Sequence, residues 1–173
     1  MSMSLYDATV PSFLQIVGAV EGFLAKGQAH FKEKNIDPNA IVEYRLFEDM
    51  LPFRFQVLAV SAHSIGALKG VKAGAFSPPQ QLPQLDYAGL QKSITDTRAA
   101  LQKVTPDEVN ACEGKDVIFS VRDIKLPFTA VNFLQSFSLP NFYFHATTAY
   151  DMLRQKGVPV GKRDFMGKMR IKT

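Results

Sequence analysis

The stretch NFYFHATTAYDMLR (residues 141–154) combines the spacing of a buried helix with two polar side chains on its apolar side. Positions 134, 137, 141, 145, 149 and 152 follow the three-and-four spacing that keeps side chains on one side of an α-helix. Leu134 and Phe137 therefore share a face with Asn141 and His145. We expect this face to point into the protein, which would bury an amide and an imidazole together.

The residues that precede and follow this stretch indicate where its helix begins and ends. Thr129 suits the N-cap of the helix, and Gly157 suits a left-handed C-cap. The segment KDVIFSVRDIKLPF (residues 115–128) alternates apolar and polar residues with a period of two. This alternation predicts a small β-hairpin directly before the helix.

A second helical segment, predicted from Asp37 to about Lys72, carries a matching polar stripe on a surface that is apolar nearly all round. The stripe consists of Asp49, Phe53, Gln56, Val60 and His63. A buried polar group without a partner costs on the order of 1–3 kcal/mol. We therefore expect these groups to meet the polar groups of the later helix, water, a metal or a ligand.

Pro52 and Pro140 fall within the two predicted helices that carry the polar groups. A proline lacks the N–H that would bond to the carbonyl four residues earlier. Each helix should therefore contain a kink or a break, with a free carbonyl acceptor close to its polar side chains.

Two further helices complete the predicted architecture, one from Ser4 to about Lys34 and one from the cap Asp86 to Leu101. Four long helices around one core, with a hairpin inserted before the last, predict an all-α four-helix bundle. A length of 173 residues suits one domain, so we expect residues 1–173 to form a single domain.

The composition argues against several classes of protein. Hydrophobic residues make up 46% of the chain and charged residues 21%, which is typical of folded soluble domains. The single cysteine, Cys112, excludes an intramolecular disulfide, and residues 1–10 lack the features of a signal peptide, so we expect a cytoplasmic location. No run approaches the ~18 apolar residues that a membrane span needs. The net charge of +4 is not clustered outside residues 161–173, which argues against binding to nucleic acid.

The segment NFYFHATTAYDMLRQKGVPVGKRDFMG (residues 141–167), together with EDMLPFRFQ (residues 48–56), resembles the signature of an uncharacterised domain-of-unknown-function family grouped with the DinB/YfiT-like superfamily of four-helix bundles. With the order of the helices, the resemblance covers essentially the whole chain. It implies a divalent metal ion held by three histidines, one from the second helix and two a turn apart on the fourth. It also implies that some members transfer low-molecular-weight thiols.

Carried over residue by residue, the resemblance places the fourth-helix pair on Asn141 and His145 and the second-helix ligand on Gln56. Only His145 is a histidine, and amide oxygens are weak ligands for metals such as zinc. Asp49 would supply the missing charge, so that Asp49, His145 and one water form a hard-ion or proton-transfer site. His63 lies two turns beyond Gln56, about 10 Å along the axis, and is interpreted as a core or interface histidine.

Two functions remain open from the residues. The first is a small-molecule pocket between the second and fourth helices, lined by Asp49, Gln56, Asn141, His145 and Tyr150, with a divalent metal as the cofactor that the resemblance implies. The alternative for Tyr150 is to anchor the C-terminal segment.

The second function is a non-catalytic homodimeric interaction module whose buried polar groups satisfy one another. Gly18 and Gly22 favour it, because glycines on a helix permit close approach by a neighbouring helix or a second subunit. A homodimer is compatible with both functions, and the residues leave open whether any reaction is catalysed.

Overall fold

The computed structural model describes residues 3–79 and 81–172, which fold as long helices with a small sheet at one side. The long helices are α1 (Val10–Glu33), α4 (Tyr87–Leu101) and α7 (Leu139–Gln155). A fourth long segment consists of α2 (Phe53–Ser61), a π-helical turn (Ala62–Gly66) and α3 (Ala67–Ala73). Shorter elements are a 3-10 helix (Pro38–Ile41), α5 (Pro106–Asn110), α6 (Ala130–Asn132), a second π-helical turn (Phe133–Ser138) and α8 (Lys162–Met166).

The local sequence explains where these helices begin and end. The Asp86 carboxylate accepts a hydrogen bond from the Gly89 N–H (2.7 Å) and caps α4 as predicted. The Thr129 hydroxyl accepts a hydrogen bond from the Asn132 N–H (3.2 Å) and caps α6, at the predicted start of the last long helical segment. Gly74, with φ of 73°, adopts the left-handed conformation at the end of α3.

The prediction of one helical segment from Asp37 to about Lys72 is wrong in its first half. Asp37 caps only the short 3-10 helix, and residues 42–52 form turns and irregular structure before α2 begins at Phe53. Pro52 is the physical reason, because it adopts an extended conformation (φ −69°, ψ 168°) and serves as the N-cap of α2. The predicted break at Pro52 is therefore complete, and the stripe before it does not lie on a helix.

The predicted hairpin forms from β2 (Asp116–Val121) and β3 (Ile124–Thr129), which pair antiparallel with Phe119 opposite Leu126. A strand of two residues, β1 (Ala75–Phe76), adds to β2 in parallel and gives the sheet order β1-β2-β3. Two residues are too few for a pattern of alternation, so β1 could not be predicted from the sequence. The sheet buries Val117 and Phe119 against the helices.

The long helical segments pack around one apolar core. Helix α2 packs on α7 and α4, and α1 packs on α4, α7 and α8. Phe13 of α1 meets Phe142 of α7 edge to face with centroids 4.9 Å apart. These contacts confirm the predicted all-α architecture with a hairpin ahead of the last long helix. None of the helices among the described residues combines the length and apolar character that a membrane crossing requires.

The C-terminal segment folds back across α1. The Lys26 ammonium pairs with the Asp164 carboxylate of α8 at 2.6 Å. The Gln15 amide donates a hydrogen bond to the Met166 carbonyl at 2.8 Å. The segment that follows α7 is therefore part of the folded domain rather than a free basic tail.

Candidate functional site

The centre of the candidate site is a hydrogen bond between α2 and α7. The Gln56 Oε1 lies 2.8 Å from the His145 Nδ1, and both side chains are buried, with 3% and 9% of their surface exposed. The Gln56 Nε2 donates to the Leu51 carbonyl at 2.9 Å. Because the amide N–H is used there, Oε1 faces the imidazole and accepts from its Nδ1–H. His145 therefore presents Nε2 as a hydrogen-bond acceptor.

The carbonyl of Leu51 is available because Pro52 separates it from α2. Pro52 is extended, Leu51 lies outside any helix or strand, and α2 begins at Phe53. Gln56 is in the first turn of α2, where its side chain can reach back to this carbonyl. The acceptor near the polar stripe is thus the Leu51 carbonyl and not that of Glu48, the residue four positions before Pro52, because no helix directly precedes the proline.

His63 lies directly beside His145. The two imidazole rings are nearly parallel, at 16°, and their centroids are 5.7 Å apart. His63 belongs to the π-helical turn Ala62–Gly66, and π-turns inside helices are frequently found at functional sites because they redirect side chains. Sequence reasoning set His63 aside, although its place on the stripe with Gln56 was the signal that could have found it.

Ser138 contacts His63 from the other π-helical turn. Its hydroxyl is fully buried and donates to the His63 carbonyl at 3.1 Å. The same oxygen lies 3.5 Å from the His63 Nδ1, a long contact. Since the hydroxyl proton is already used, the oxygen can only accept from Nδ1–H, which favours the same tautomer as in His145.

Aromatic side chains enclose the imidazole pair. The rings of Phe55 and Phe144 approach His145 edge to face with centroids 5.5 and 5.3 Å away. Phe76 and Phe137 approach His63 at 5.8 and 5.7 Å. The two imidazoles thus lie in an apolar environment that they share with the Gln56 amide and the Ser138 hydroxyl.

Burial lowers the pKa of both imidazoles to about 4. For His63 a second, smaller cause of the lowered pKa is the neighbouring charge that His145 would carry when protonated. Both rings are therefore neutral at pH 7. A neutral imidazole with such a low pKa accepts hydrogen bonds but takes up a proton poorly, which suits binding better than general-base catalysis near pH 7.

The two Nε2 atoms have no hydrogen-bond partner among the described residues. Among the described residues, every fully buried side-chain nitrogen or oxygen has a hydrogen-bond partner. The hydrogen bonds of His145 and His63 to described residues involve Nδ1, not Nε2. Neither Nε2 is therefore used by a described residue, and each is an acceptor for a further partner.

The structure does not bring all the predicted site residues together. Asp49 is exposed in a turn before α2, so the prediction that it shares the inward stripe is wrong, and the hydrated Asp49–His145 arrangement loses its basis. Asn141 is half-buried, and its Nδ2 donates to the Phe137 carbonyl of its own helical segment at 2.7 Å. Gln56 and His145 are the predicted residues that meet.

Tyr150 anchors the C-terminal segment. Its hydroxyl lies 3.4 Å from the Val160 carbonyl, which also accepts a hydrogen bond from Arg154 at 2.7 Å. Its ring packs against Phe23 and Phe165. Of the two roles left open for Tyr150, these contacts favour the structural one.

The donor set does not fit the metal ion that the resemblance implies. In the described part of the chain, no three side chains among His, Cys, Asp and Glu come together as metal ligands. At the three matched positions the chain has Gln56, Asn141 and one imidazole, and the Gln56 oxygen is already bonded to that imidazole. Zinc-like ions prefer imidazole, thiolate or carboxylate ligands, so we assign no metal chemistry to this site.

Replacement of Gln56 tests the geometry of the site. In Gln56→Leu, the buried Nδ1–H of His145 loses its acceptor, so we expect the free energy of unfolding to fall by about 1–3 kcal/mol. The ring nitrogens of His145 should also change from one tautomer to a mixture, as measured by 15N NMR. Gln28→Leu, on the exposed side of α1, is the control and should change neither quantity. An unaltered His145 tautomer in Gln56→Leu would show that another group fixes the ring.

Comparison with known proteins identifies similar chains. A family described as "Domain of unknown function (DUF1993)" matches residues 5–166. A DinB family member protein from Shewanella denitrificans is 25% identical, with a TM-score of 0.78 over 98% of this chain and 95% of that chain. A DinB-like protein from Bacillus subtilis is 19% identical, with a TM-score of 0.55 over 86% of this chain and 91% of that chain. No curated protein gave a significant match.

Proposed function

The chain belongs to the DUF1993 family and has a DinB-like fold, and from this premise we propose that it binds a small polar molecule at the imidazole pair between α2 and α7. The observation that carries the proposal is the chain of hydrogen bonds from the Leu51 carbonyl through Gln56 to His145. This chain fixes Nδ1 of the ring as the donor and leaves Nε2 as an acceptor that bonds to no described residue. A buried polar group that is oriented in this way is prepared for a partner with a donor.

A second histidine beside the first supports binding rather than a satisfied core network. A core network would need His145 and Gln56 only, because these two already bond to each other. His63 adds a second Nε2 that bonds to no described residue. Two acceptors in an aromatic environment suit a ligand that brings hydrogen-bond donors.

Phe55, whose ring contacts His145, also lines a cavity of about 520 Å³ whose lining residues include neither His63 nor His145. Leu51 and Pro52 line the same cavity. This volume lies within the range of ordinary small-molecule pockets.

Histidine NMR with a panel of small organic molecules tests the proposal. A ligand should shift the ring resonances of His63 and His145 but not those of His30, which contacts Phe31 at the end of α1. It should also raise the melting temperature of the wild type, because a ligand that binds only the folded state stabilises that state. His145→Phe should abolish this rise. A panel in which no molecule shifts either site histidine would contradict the proposal.

Metal analysis of protein purified without a histidine tag completes this test. We expect no zinc, nickel, manganese or iron at one ion per chain, because the donor set lacks a third ligand of the preferred type. A stoichiometric ion that disappears in His145→Ala would overturn this assignment.

A homodimeric interaction module is the second candidate. It is favoured by Tyr143 and Phe144, two aromatic residues of α7 with 38% and 58% of their surface exposed. Of the glycines of α1, Gly18 faces the Arg98 side chain of α4, whereas Gly22 has nothing within 4 Å and leaves room for a second subunit. A chain that sediments as a monomer at high micromolar concentration would exclude this candidate.

A further inference from the structure

The chemical class of the ligand follows from what surrounds the imidazole pair, provided that the proposed function is correct. Four phenylalanine rings contact the two imidazoles, and polar contacts come only from Gln56 and Ser138 among the described residues. A ligand that reaches either Nε2 must therefore lie against aromatic carbon.

The apolar surface continues outward from the histidines. Phe144 has 58% of its surface exposed beside His145. On the other side, Phe137 packs against Phe119 with centroids 4.7 Å apart, and the strand partner of Phe119 is Leu126, which is 43% exposed. The exposed surface beside the two histidines is thus apolar, and the apolar part of a ligand can pack against it.

Charged groups are absent from the hydrogen bonds and ion pairs that the imidazoles make with described residues. In the adjoining cavity Arg54 pairs with Glu43 at 2.8 Å, whereas Arg45 donates to the neutral Met50 carbonyl at 2.5 Å and keeps its positive charge. The imidazoles themselves are neutral at pH 7. An anionic group placed against the imidazoles would therefore lose hydration without gaining a counter-charge there, which is costly.

The donor and acceptor roles of the ring nitrogens further restrict the class of ligand. With Nδ1–H directed at Gln56 and Ser138, both rings offer an acceptor at Nε2. A ligand with acceptors alone would leave these lone pairs without a partner, whereas an O–H or N–H donor satisfies one of them.

We propose that the occupant of this site is an uncharged molecule with an aromatic or aliphatic body and a weakly acidic O–H or N–H donor, of which phenol is the simplest example. The phenol ring lies against Phe144 and Phe55, and its hydroxyl donates to Nε2 of His145.

Three benzene derivatives test the assignment on the full-length chain by histidine NMR. Phenol should shift the rings of His63 and His145 in a saturable manner and leave His30 unchanged. Anisole, which lacks the donor, should bind at least about tenfold more weakly, and benzoate should cause no shift at the same concentrations. Benzoate or anisole binding as well as phenol would overturn the ligand class but leave the site in place. If none of these three molecules shifts the rings but another molecule of the panel does, the ligand class is likewise wrong and the site remains in place. If no molecule of the panel shifts either ring, the proposed function itself is refuted.

Two variants separate the polar part of the interaction from the apolar part. His145→Phe keeps an aromatic ring but removes the acceptor, so phenol should lose its advantage over anisole. Phe144→Ala removes a mostly exposed aromatic ring, so the variant should fold normally. It should weaken the binding of phenol and of anisole equally, by roughly fivefold, so that the ratio of the two affinities stays the same. Unchanged affinities in Phe144→Ala would refute the part of the proposal that places the ligand body against this ring.

Discussion

Acidification from pH 7 to pH 4.5 should lower the free energy of unfolding by roughly 4–5 kcal/mol through the imidazole pair alone. The pKa of both rings is lowered from 6.5 to about 4 in the folded protein. Between these values the unfolded chain takes up protons that the folded chain does not. Stability is therefore complete above pH 6.5 and falls by up to about 1.4 kcal/mol per pH unit for each ring until pH 4.

Urea unfolding at a series of pH values, in the wild type and in His145→Gln, measures this effect. The variant retains an amide that can donate to Gln56 but has one titrating ring fewer, so its loss of stability between pH 7 and 4.5 should be about half as large. The comparison also removes the contribution of Glu21 and Asp164, whose lowered carboxyl pKa values are common to both proteins. At pH 8 the two proteins should differ by an amount that no longer depends on pH. Equal acid slopes would show that His145 is already charged, or freely hydrated, in the folded state.

Gly27→Ala should lower the free energy of unfolding by about 2–4 kcal/mol. A Cβ at position 27 would collide with the Tyr87 hydroxyl and lie 3.0 Å from Cδ2 of Leu153. Tyr87 cannot move aside easily, because it is 1% exposed, stacks on Phe53 and donates to the Leu24 carbonyl at 2.8 Å. Overpacking and the loss of this buried hydrogen bond together outweigh the roughly 1 kcal/mol that alanine gains over glycine in a helix.

Gly22→Ala is the matched control for this prediction, because it lies on the same helix. A Cβ at position 22 meets nothing within 4 Å, and the residue is exposed. The variant should therefore be more stable than the wild type by about 0.5–1 kcal/mol. In a Tyr87→Phe background the cost of Gly27→Ala should shrink, because the clashing oxygen is gone. An undiminished cost there would mean that Leu153, not Tyr87, sets the limit.

Gly22 and Gly27 show that the sequence does not determine what a substitution of a helical glycine costs. Gly18, Gly22 and Gly27 all occur in one amphipathic helix, and helix propensity treats them alike. Their different consequences come from neighbours on α4 and α7, such as Tyr87 and Leu153, which are distant in the chain. The prediction from sequence singled out Gly18 and Gly22, and the most restrictive position is Gly27.

The candidate site was predicted in part, and the reason is geometric. Gln56 and His145 follow from the spacing of single helices, since each lies on the inward face of its own element. The prediction for Asp49 failed because the helical spacing was extended backwards across Pro52, where no helix exists. His63 was set aside because an ideal helix places it two turns from Gln56, while His145 approaches the two side chains from the opposite helix.

The sequence by itself determined the helices α1, α4 and α7, the hairpin before the last long helix, and the burial of Gln56 and His145. These features depend on periodicity and on caps such as Asp86 and Thr129, which act over a few residues. Only the tertiary structure decided that His63 joins His145, that both rings are neutral acceptors and that phenylalanines enclose them. The tautomer, the pKa and the aromatic surroundings of each imidazole depend on atoms of two helices that meet in the folded chain. The sequence pattern of one helix does not indicate which side chains the other helix places beside it.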